Sequence, residues 1–289
     1  MLDGETPVFR RLVVVLDDFA PWQGAFAHAL DWAWRLRLPI QALYPPWMGY
    51  SKIGNRQPSG PCNGATLATD ETTWLRSCAH ASAELGVVCE LSKWEGNALT
   101  GLRRSLAAND ICIISNSLPL AHKRFLLRQT PGSPSPAILI CAESHASLSR
   151  ILLLCSGNPN RFLLKAVHVC RELRARPVVL SVASSERAAQ RHQQAAREAL
   201  ARYEQNCDFD FLVGSDVRAA VTSVARWRGC QLVVVEQHTD PAWLRWLRGN
   251  PLEQLIGFIG SVSFLALPEA DSGVPVSEPN LLRTALTGP

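Results

Sequence analysis

Two aspartates directly follow a buried-strand pattern near the start of the chain. Residues 10–18, RRLVVVLDD, form an unbroken aliphatic run that two arginines precede and that Asp17 and Asp18 end. Such a run predicts a parallel strand with helices on both faces. Open α/β sheets bind ligands beyond the carboxyl ends of their strands, which is where these carboxylates would lie. Asp17 and Asp18 are therefore candidate ligand-binding residues, and the alternative is that they end the strand or cap the next helix.

A second copy of the pattern has different chemistry at its end. Residues 149–157, SRILLLCSG, repeat the aliphatic run but place Ser156 where the first copy has a carboxylate. Further on, Gly249 and Asn250 precede a short helical pattern, and free N–H groups at a helix start can bind an anion. The alternative is a purely structural helix start, because Asn250 is a good N-cap residue and Pro251 suits the first helical position. We prefer the structural interpretation.

Tryptophan and arginine alternate just before that glycine. Trp243 and Trp246 are interleaved with Arg245 and Arg248. Tryptophan and arginine are enriched at interface hot spots, so these four residues are candidates for binding a protein partner. The alternative, which we prefer, is that the two indoles pack over the end of the sheet.

Patterns for catalysis and for metal binding are missing from the sequence. The seven histidines form no H-x-x-x-H or H-E-x-x-H spacing, and neither a nucleophile elbow nor a Walker-type glycine loop occurs. We expect His28 and His168 at surface or core positions. The nine cysteines are odd in number and form no C-x-x-C, which favours a reducing cytoplasm over a disulfide framework. Cys155 is expected to be a buried, inert thiol.

The overall composition excludes further classes. A net charge of +4, from 29 basic and 25 acidic residues without a dense basic block, does not indicate a nucleic-acid-binding protein. No apolar run approaches the roughly 20 residues of a membrane span. The amino terminus lacks the apolar core of a signal peptide. We therefore expect a cytoplasmic protein without nucleic-acid or membrane partners.

The order of the predicted elements is the same in the two halves of the chain. Each half alternates five strands with four helices, which predicts an α/β fold of two tandem, doubly wound, parallel five-stranded sheets. The predicted units are a first domain at 1–143 and a second at 149–268. Residues 269–289, rich in Pro, Ser and Gly, are predicted to be a loose tail.

With this duplication the chain resembles a tandem universal stress protein. The resemblance implies strand order 3-2-1-4-5 in each half, and it implies pairing of the two fifth strands, as in a fused dimer. Nucleotide-binding members share an Asp after the first strand and a loop G-x-x-G, about nine residues, then G-S/T after the fourth, whose glycines admit phosphates to the backbone. The first half keeps Asp17, but 116–123, NSLPLAHK, is short and lacks glycine.

The second half keeps the length of the family loop but not its residues. In 233–256 Glu236 and Thr239 replace the first two glycines, Gly249 keeps the third, and Asn250 replaces the Ser/Thr. Ser156 stands where the family has its Asp. A carboxylate at the first glycine position would repel a phosphate. The resemblance thus implies a degenerate nucleotide-binding site.

These observations favour a stress-response or regulatory protein that is not an enzyme, needs no cofactor, and acts through a protein partner or self-association. One alternative is a module that binds ATP or AMP through a modified site containing Asp17 or Gly249 and Asn250. The other is a hydrolase or transferase of the adenine-nucleotide-binding α/β group, although no catalytic residue supports it.

Overall fold

The computed structural model describes ten stretches of the chain. They are residues 8–16, 24–44, 64–93, 98–127, 135–143, 147–155, 160–201, 206–214, 216–237 and 262–268. The predicted loop at 45–64, the predicted helix at 251–256 and the predicted tail fall wholly or almost wholly outside these stretches.

Strands and helices alternate as predicted along the described residues, and the predicted helix between the last two strands lies outside them. The first half contains β1 Arg11–Val15, α1 Gly24–Leu36, β2 Ile40–Tyr44, α2 Gly64–Glu84, β3 Cys89–Lys93, α3 Ala98–Ser105, β4 Asp110–Ser115, α4 Leu120–Leu127 and β5 Ala137–Cys141. The second half contains β6 Arg150–Cys155, α5 Asn160–Glu172, β7 Arg176–Ala183, α6 Glu186–Ala201, β8 Asp208–Val213, α7 Val217–Arg228, β9 Leu232–Gln237 and β10 Ser263–Pro268.

All ten strands form one continuous sheet, in the order β3-β2-β1-β4-β5-β10-β9-β6-β7-β8. Strands within a half are parallel, and the order 3-2-1-4-5 predicted for each half is confirmed. The two fifth strands pair antiparallel, with Phe264 opposite Ile140 and Ala266 opposite Ile138. The halves are therefore joined through their fifth strands, as the resemblance implied.

The aliphatic strands supply two separate cores, one on each face of the sheet. Leu12 and Val14 of β1 face a core that includes side chains of α1, α2, α5 and α6, whereas Val13 and Val15 face a core that includes α3, α4 and α7. The four side chains are at most 4% exposed. This explains why the run is continuous rather than alternating, because both faces of a parallel strand are covered.

Several helix boundaries differ from the sequence-based prediction by a few residues. Helix α1 is described from Gly24, which has a φ of 66°, and its predicted start at Ala20 lies outside the described residues. The predicted cap of α7 is confirmed, because an Asp216 carboxylate oxygen accepts a hydrogen bond from the Ala219 N–H at 2.9 Å. That helix ends at Gly229, a left-handed residue with a φ of 63°.

Contacts outside the β5–β10 ladder also join the halves. Arg35 of α1 donates from Nη1 to the Leu173 carbonyl at the end of α5, at 3.0 Å. Gln237 donates from Nε2 to the carbonyl of Leu127, the last residue of α4, at 3.4 Å. The Ala142 N–H donates to Ser263 Oγ at 3.0 Å. These hydrogen bonds connect helix ends and strand ends of the first half with those of the second half.

The antiparallel junction sets the two carboxyl edges on opposite sides of the sheet. The strand ends that could carry a ligand site in the first half therefore lie on the side where the second-half strands begin. The two candidate sites are therefore separate. Within the described part of the chain, no helix combines the length and hydrophobicity needed to traverse a lipid bilayer.

Candidate functional site

Three of the residues singled out from the sequence follow described stretches of the chain in sequence. Asp17 and Asp18 come directly after Leu16, and Ser156 comes directly after Cys155. These residues are outside the described residues, as are the others proposed for nucleotide or partner binding: Gly249, Asn250, Trp243, Trp246, Arg245 and Arg248. Their predicted roles stay predictions, and the geometry of the site comes from the strands and turns around them.

In the first half, the turn between β4 and α4 satisfies its own backbone. The N–H of Ser117 donates to Ser115 Oγ at 3.1 Å, and the N–H of Leu118 donates to the Ser115 carbonyl at 3.3 Å. Leu118 is buried, and Pro119 has no N–H to offer. An anion cradle needs several backbone N–H groups that converge on one point. These residues of the turn do not supply them.

A buried lysine holds the same turn. Lys123, in the first turn of α4, is 4% exposed. Its ammonium group donates to the backbone carbonyl of Asn116, and it donates to Asn116 Oδ1 at 2.8 Å. A buried ammonium group is costly unless oxygen atoms replace its water shell. The lysine therefore binds the turn on which family members build their phosphate loop.

In the second half, three polar side chains form a row across neighbouring strands. Leu153 pairs with Val234, so Cys155 and Glu236 lie side by side two residues further along β6 and β9. Cys155 also pairs with Ser181 of β7. Cys155 and Ser181 are buried, and Ser181 Oγ has no hydrogen-bond partner. Glu236 is partly buried at the position that the family gives to its first loop glycine.

This row lacks a reactive nucleophile at neutral pH. Burial, and secondarily the negative charge of Glu236, raise the pKa of the Cys155 thiol to about 12. The thiol is therefore protonated, and only a thiolate attacks efficiently. The prediction that Cys155 is buried is confirmed, and its lack of reactivity stays a prediction that the raised pKa supports. All eight described cysteines are free thiols, which agrees with the absence of a disulfide framework among them.

His28 and His168 occupy the core and surface positions expected of them. His28 is buried in α1, and His168 is partly buried with its Nε2 3.9 Å from a Glu172 oxygen. Among the described residues, no three His, Cys, Asp or Glu side chains cluster as metal ligands would. The described part of the site therefore consists of a lysine-bound turn in one half and a polar row in the other.

Sequence patterns did not single out three buried polar residues that the structure reveals. Lys123 shares a helical stripe with the buried Leu126 and Leu127, which was the available signal for an inward-facing lysine. Ser181 is a polar residue within the apolar run of β7, and this interruption was the available signal for a buried hydroxyl. Asp110 falls in a predicted strand, and no local pattern predicts that it is fully buried between two arginines.

The sheet order, the alternation of parallel strands with helices and the fifth-strand junction are those of the universal stress protein fold. The resemblance drawn from the sequence is confirmed at the level of the fold by solved structures. A universal stress protein from Archaeoglobus fulgidus DSM 4304 matches with a TM-score of 0.64 and 10% identity, over 91% of this chain and 99% of that chain.

Two further solved structures extend the comparison. One, from Pseudomonas aeruginosa UCBPP-PA14 and provisionally named a universal stress protein, matches with a TM-score of 0.60 and 14% identity, over 90% of this chain and 93% of that chain. The cytoplasmic domain of a prokaryotic cation chloride cotransporter matches with a TM-score of 0.51 and 15% identity, over 89% of this chain and 95% of that chain. No protein-family model and no curated protein matches the sequence.

Proposed function

We propose that this protein is a non-catalytic regulator of the stress-response type, which acts by binding a protein partner and has lost the usual ATP site in both halves. The observation that carries the proposal is the turn after β4. Lys123 is buried there against Asn116, and the N–H groups of Ser117 and Leu118 are already bonded inside the turn.

The physical argument concerns the triphosphate. Nucleotide binding by this fold depends on backbone N–H groups at a glycine-rich helix start, which the β4–α4 turn has exchanged for internal hydrogen bonds. A lysine can attract phosphate as a point charge. Here, however, two oxygens of Asn116 already bind the ammonium group of Lys123, and a ligand would have to displace them.

The second half supports the proposal through charge. Glu236 lies at the end of β9 beside Cys155, so a phosphate placed at this strand end would meet a carboxylate at short range. The raised pKa of Cys155 argues against covalent catalysis at the same place. The fold itself does not imply catalysis, because one fold hosts many unrelated functions.

Titration calorimetry on the full chain, with Mg-ATP and separately with AMP, tests the proposal. We expect no saturable heat up to about 1 mM ligand, which corresponds to less than about 4 kcal/mol of binding free energy. Micromolar binding that is lost in Asp17→Ala would overturn the proposal in favour of a modified nucleotide site. Sustained release of phosphate from ATP by the pure protein would overturn it in favour of an enzyme.

A further inference from the structure

One end of the ten-stranded sheet is an open edge with apolar side chains. In the part of the chain that the structure describes, β8 is the last strand on its side and pairs with β7 alone. The Gly214 N–H donates to the Ala183 carbonyl, so even-numbered residues of β8 direct their backbone groups toward β7. The N–H and C=O groups of Phe209, Phe211 and Val213 consequently point away from the sheet.

Large apolar side chains lie beside this edge on both faces. Phe211 is 36% exposed and Val213 is 49% exposed, on the face that α6 covers. On the other face, Trp227 near the end of α7 is 71% exposed, and the Arg228 guanidinium stacks 4.3 Å from the indole centroid. Natural proteins usually protect a sheet edge with charges, bulges or covering segments. An edge with exposed aromatic side chains indicates a binding surface.

Two helices near β8 carry a strong excess of positive charge: α6 packs on the strand, and α7 reaches it through the ion pair of Arg228 with Asp210. Their sequences contain six arginines and two glutamates, all arginines but Arg228 being exposed. The two aspartates of β8 are each paired, Asp208 with Arg176 at 2.7 Å and Asp210 with Arg228 at 2.6 Å. At the opposite end of the sheet, α2 and α3 have three arginines and three acidic residues. The two edges therefore differ in charge.

We propose that the β8 edge binds an extended, acidic segment of a protein partner, which adds to the sheet as an eleventh strand. This inference rests on the proposed function, since it names the surface through which a partner would bind. The outward backbone groups of Phe209, Phe211 and Val213 supply the hydrogen bonds. Alternate apolar side chains of the segment contact Phe211 and Val213, and its acidic side chains face the surrounding arginines.

Charge decides between this partner and a second copy of the chain. Pairing β8 with β8 of another molecule would bring two arginine-rich flanks together, and like charges at an interface disfavour association. An acidic segment gains from the same arginines, and attraction of this kind also accelerates encounter. The chemistry of the edge therefore favours a partner of opposite charge.

Fluorescence anisotropy with a labelled peptide of alternating glutamate and valine tests the inference on the full chain. We expect saturable binding that weakens as NaCl is added, because salt screens the arginines. The matched probe, a peptide of alternating lysine and valine, is expected to bind at least about tenfold more weakly.

Two proline variants locate the binding edge. Val213→Pro removes an outward N–H at the end of β8 without removing a β7–β8 hydrogen bond, and we expect at least about tenfold weaker binding. Lys93→Pro makes the same change at the end of β3, the opposite edge strand, and should leave binding unchanged. Phe211→Asp is a second disrupting variant that leaves the backbone intact, in case Val213→Pro misfolds by circular dichroism.

Four outcomes would overturn the inference: no binding of the acidic peptide, equal binding of the lysine peptide, equal loss in Lys93→Pro, or full binding by Phe211→Asp. Sedimentation that shows a concentration-dependent dimer abolished by Phe211→Asp would assign the edge to a second copy instead. None of these outcomes concerns nucleotides. A failed peptide experiment is thus distinguishable from failure of the proposed function, which calorimetry with ATP decides.

Discussion

The two halves fill one equivalent position of the sheet with different chemistry. In the first half, Asp110 begins β4 and pairs in register with Arg11 of β1. In the second half, the corresponding position before β9 is Gln231, which exchanges hydrogen bonds with Arg150 of β6. Both residues connect the amino ends of the two central strands, one as a carboxylate and the other as a neutral amide.

Asp110 is a fully buried carboxylate held by two guanidinium groups. Arg10 Nε donates to it at 2.7 Å, Arg11 Nη2 at 3.0 Å, and the Ala107 N–H at 2.8 Å. Arg11 continues to Gln41 of β2. Burial by itself would raise the pKa of Asp110, but the hydrogen bonds from Arg10, Arg11 and Ala107 outweigh it and hold the pKa below its ordinary value.

Gln231 achieves a similar connection without charge. Its Oε1 accepts from the Ser149 N–H at 3.0 Å, from Ser149 Oγ at 3.1 Å and from the Arg150 N–H at 3.0 Å, while Nε2 donates to the Gly229 carbonyl at 2.7 Å. The comparison shows that a duplicated fold constrains where a polar connection is needed, but not whether it is ionic. The ionic version makes one half sensitive to pH.

The carboxyl edges of the two halves also differ, here in the sign of the charge. The first half has the ammonium group of Lys123 against Asn116, and the second half has the carboxylate of Glu236 beside Cys155. The charged groups near the carboxyl ends of β4 and β9 are therefore of opposite sign. The divergence supports the proposal that neither half is held to a shared ligand.

The largest expected effect is at Asp110. Asp110→Asn removes the negative charge between Arg10 and Arg11, and we expect the free energy of unfolding to fall by about 2–4 kcal/mol. Urea denaturation measures this loss. The matched control is Asp216→Asn, where an exposed N-cap keeps its capping ability and stability should change little. Equal losses in both variants would show that the comparison between the halves is wrong.

The second prediction concerns pH. The pKa of Asp110 is lowered in the folded state, so its ionic contribution is complete above the ordinary carboxyl pKa of about 4 and is lost as pH falls through the folded pKa. The stability difference between wild type and Asp110→Asn should therefore shrink toward zero as the solution is acidified below pH 4. Denaturation series between neutral and acidic pH check this, and a constant difference would contradict it.

The third prediction concerns the lysine that binds the β4–α4 turn. Lys123→Met keeps most of the buried volume but leaves Asn116 without its cationic donor, and we expect about 1–3 kcal/mol of destabilisation. The neighbouring Arg124→Met changes an exposed side chain and should stay within about 0.5 kcal/mol of wild type. If Lys123→Met were as stable as wild type, the turn would not depend on its lysine.

The smallest effect is expected at Gln231. Gln231→Ala removes an acceptor shared by Ser149 and Arg150, which should cost about 1–2 kcal/mol by urea denaturation. Because no ionisable group is lost, the cost should be the same at neutral and at acidic pH. Gln194→Ala, an exposed helical glutamine, is the control and should change stability by less than about 0.5 kcal/mol. A cost that depends on pH would remove the distinction between the halves.

Much of the fold could be predicted because it depends on local pattern. The strands Asp110–Ser115, Ala137–Cys141 and Asp208–Val213 have the predicted boundaries. Aliphatic runs bounded by helical patterns predict the parallel sheet, and duplication of those runs predicts two equivalent halves. The candidate ligand residues Asp17 and Ser156 were placed at strand ends by the same reasoning, and their roles stay predictions.

The sequence by itself determined which segments become strands and helices. The reason is that the spacing of apolar residues indicates whether one face or both faces of an element are buried. The tertiary structure decided which polar groups meet: Asp110 with Arg10 and Arg11, Lys123 with Asn116, and Glu236 beside Cys155. The physical reason is that such pairs depend on strand order, register and the direction of side chains across distant parts of the chain. Among the described residues, the strand order leaves β8 as the edge strand, and the exposure of its apolar side chains is likewise a result of tertiary structure.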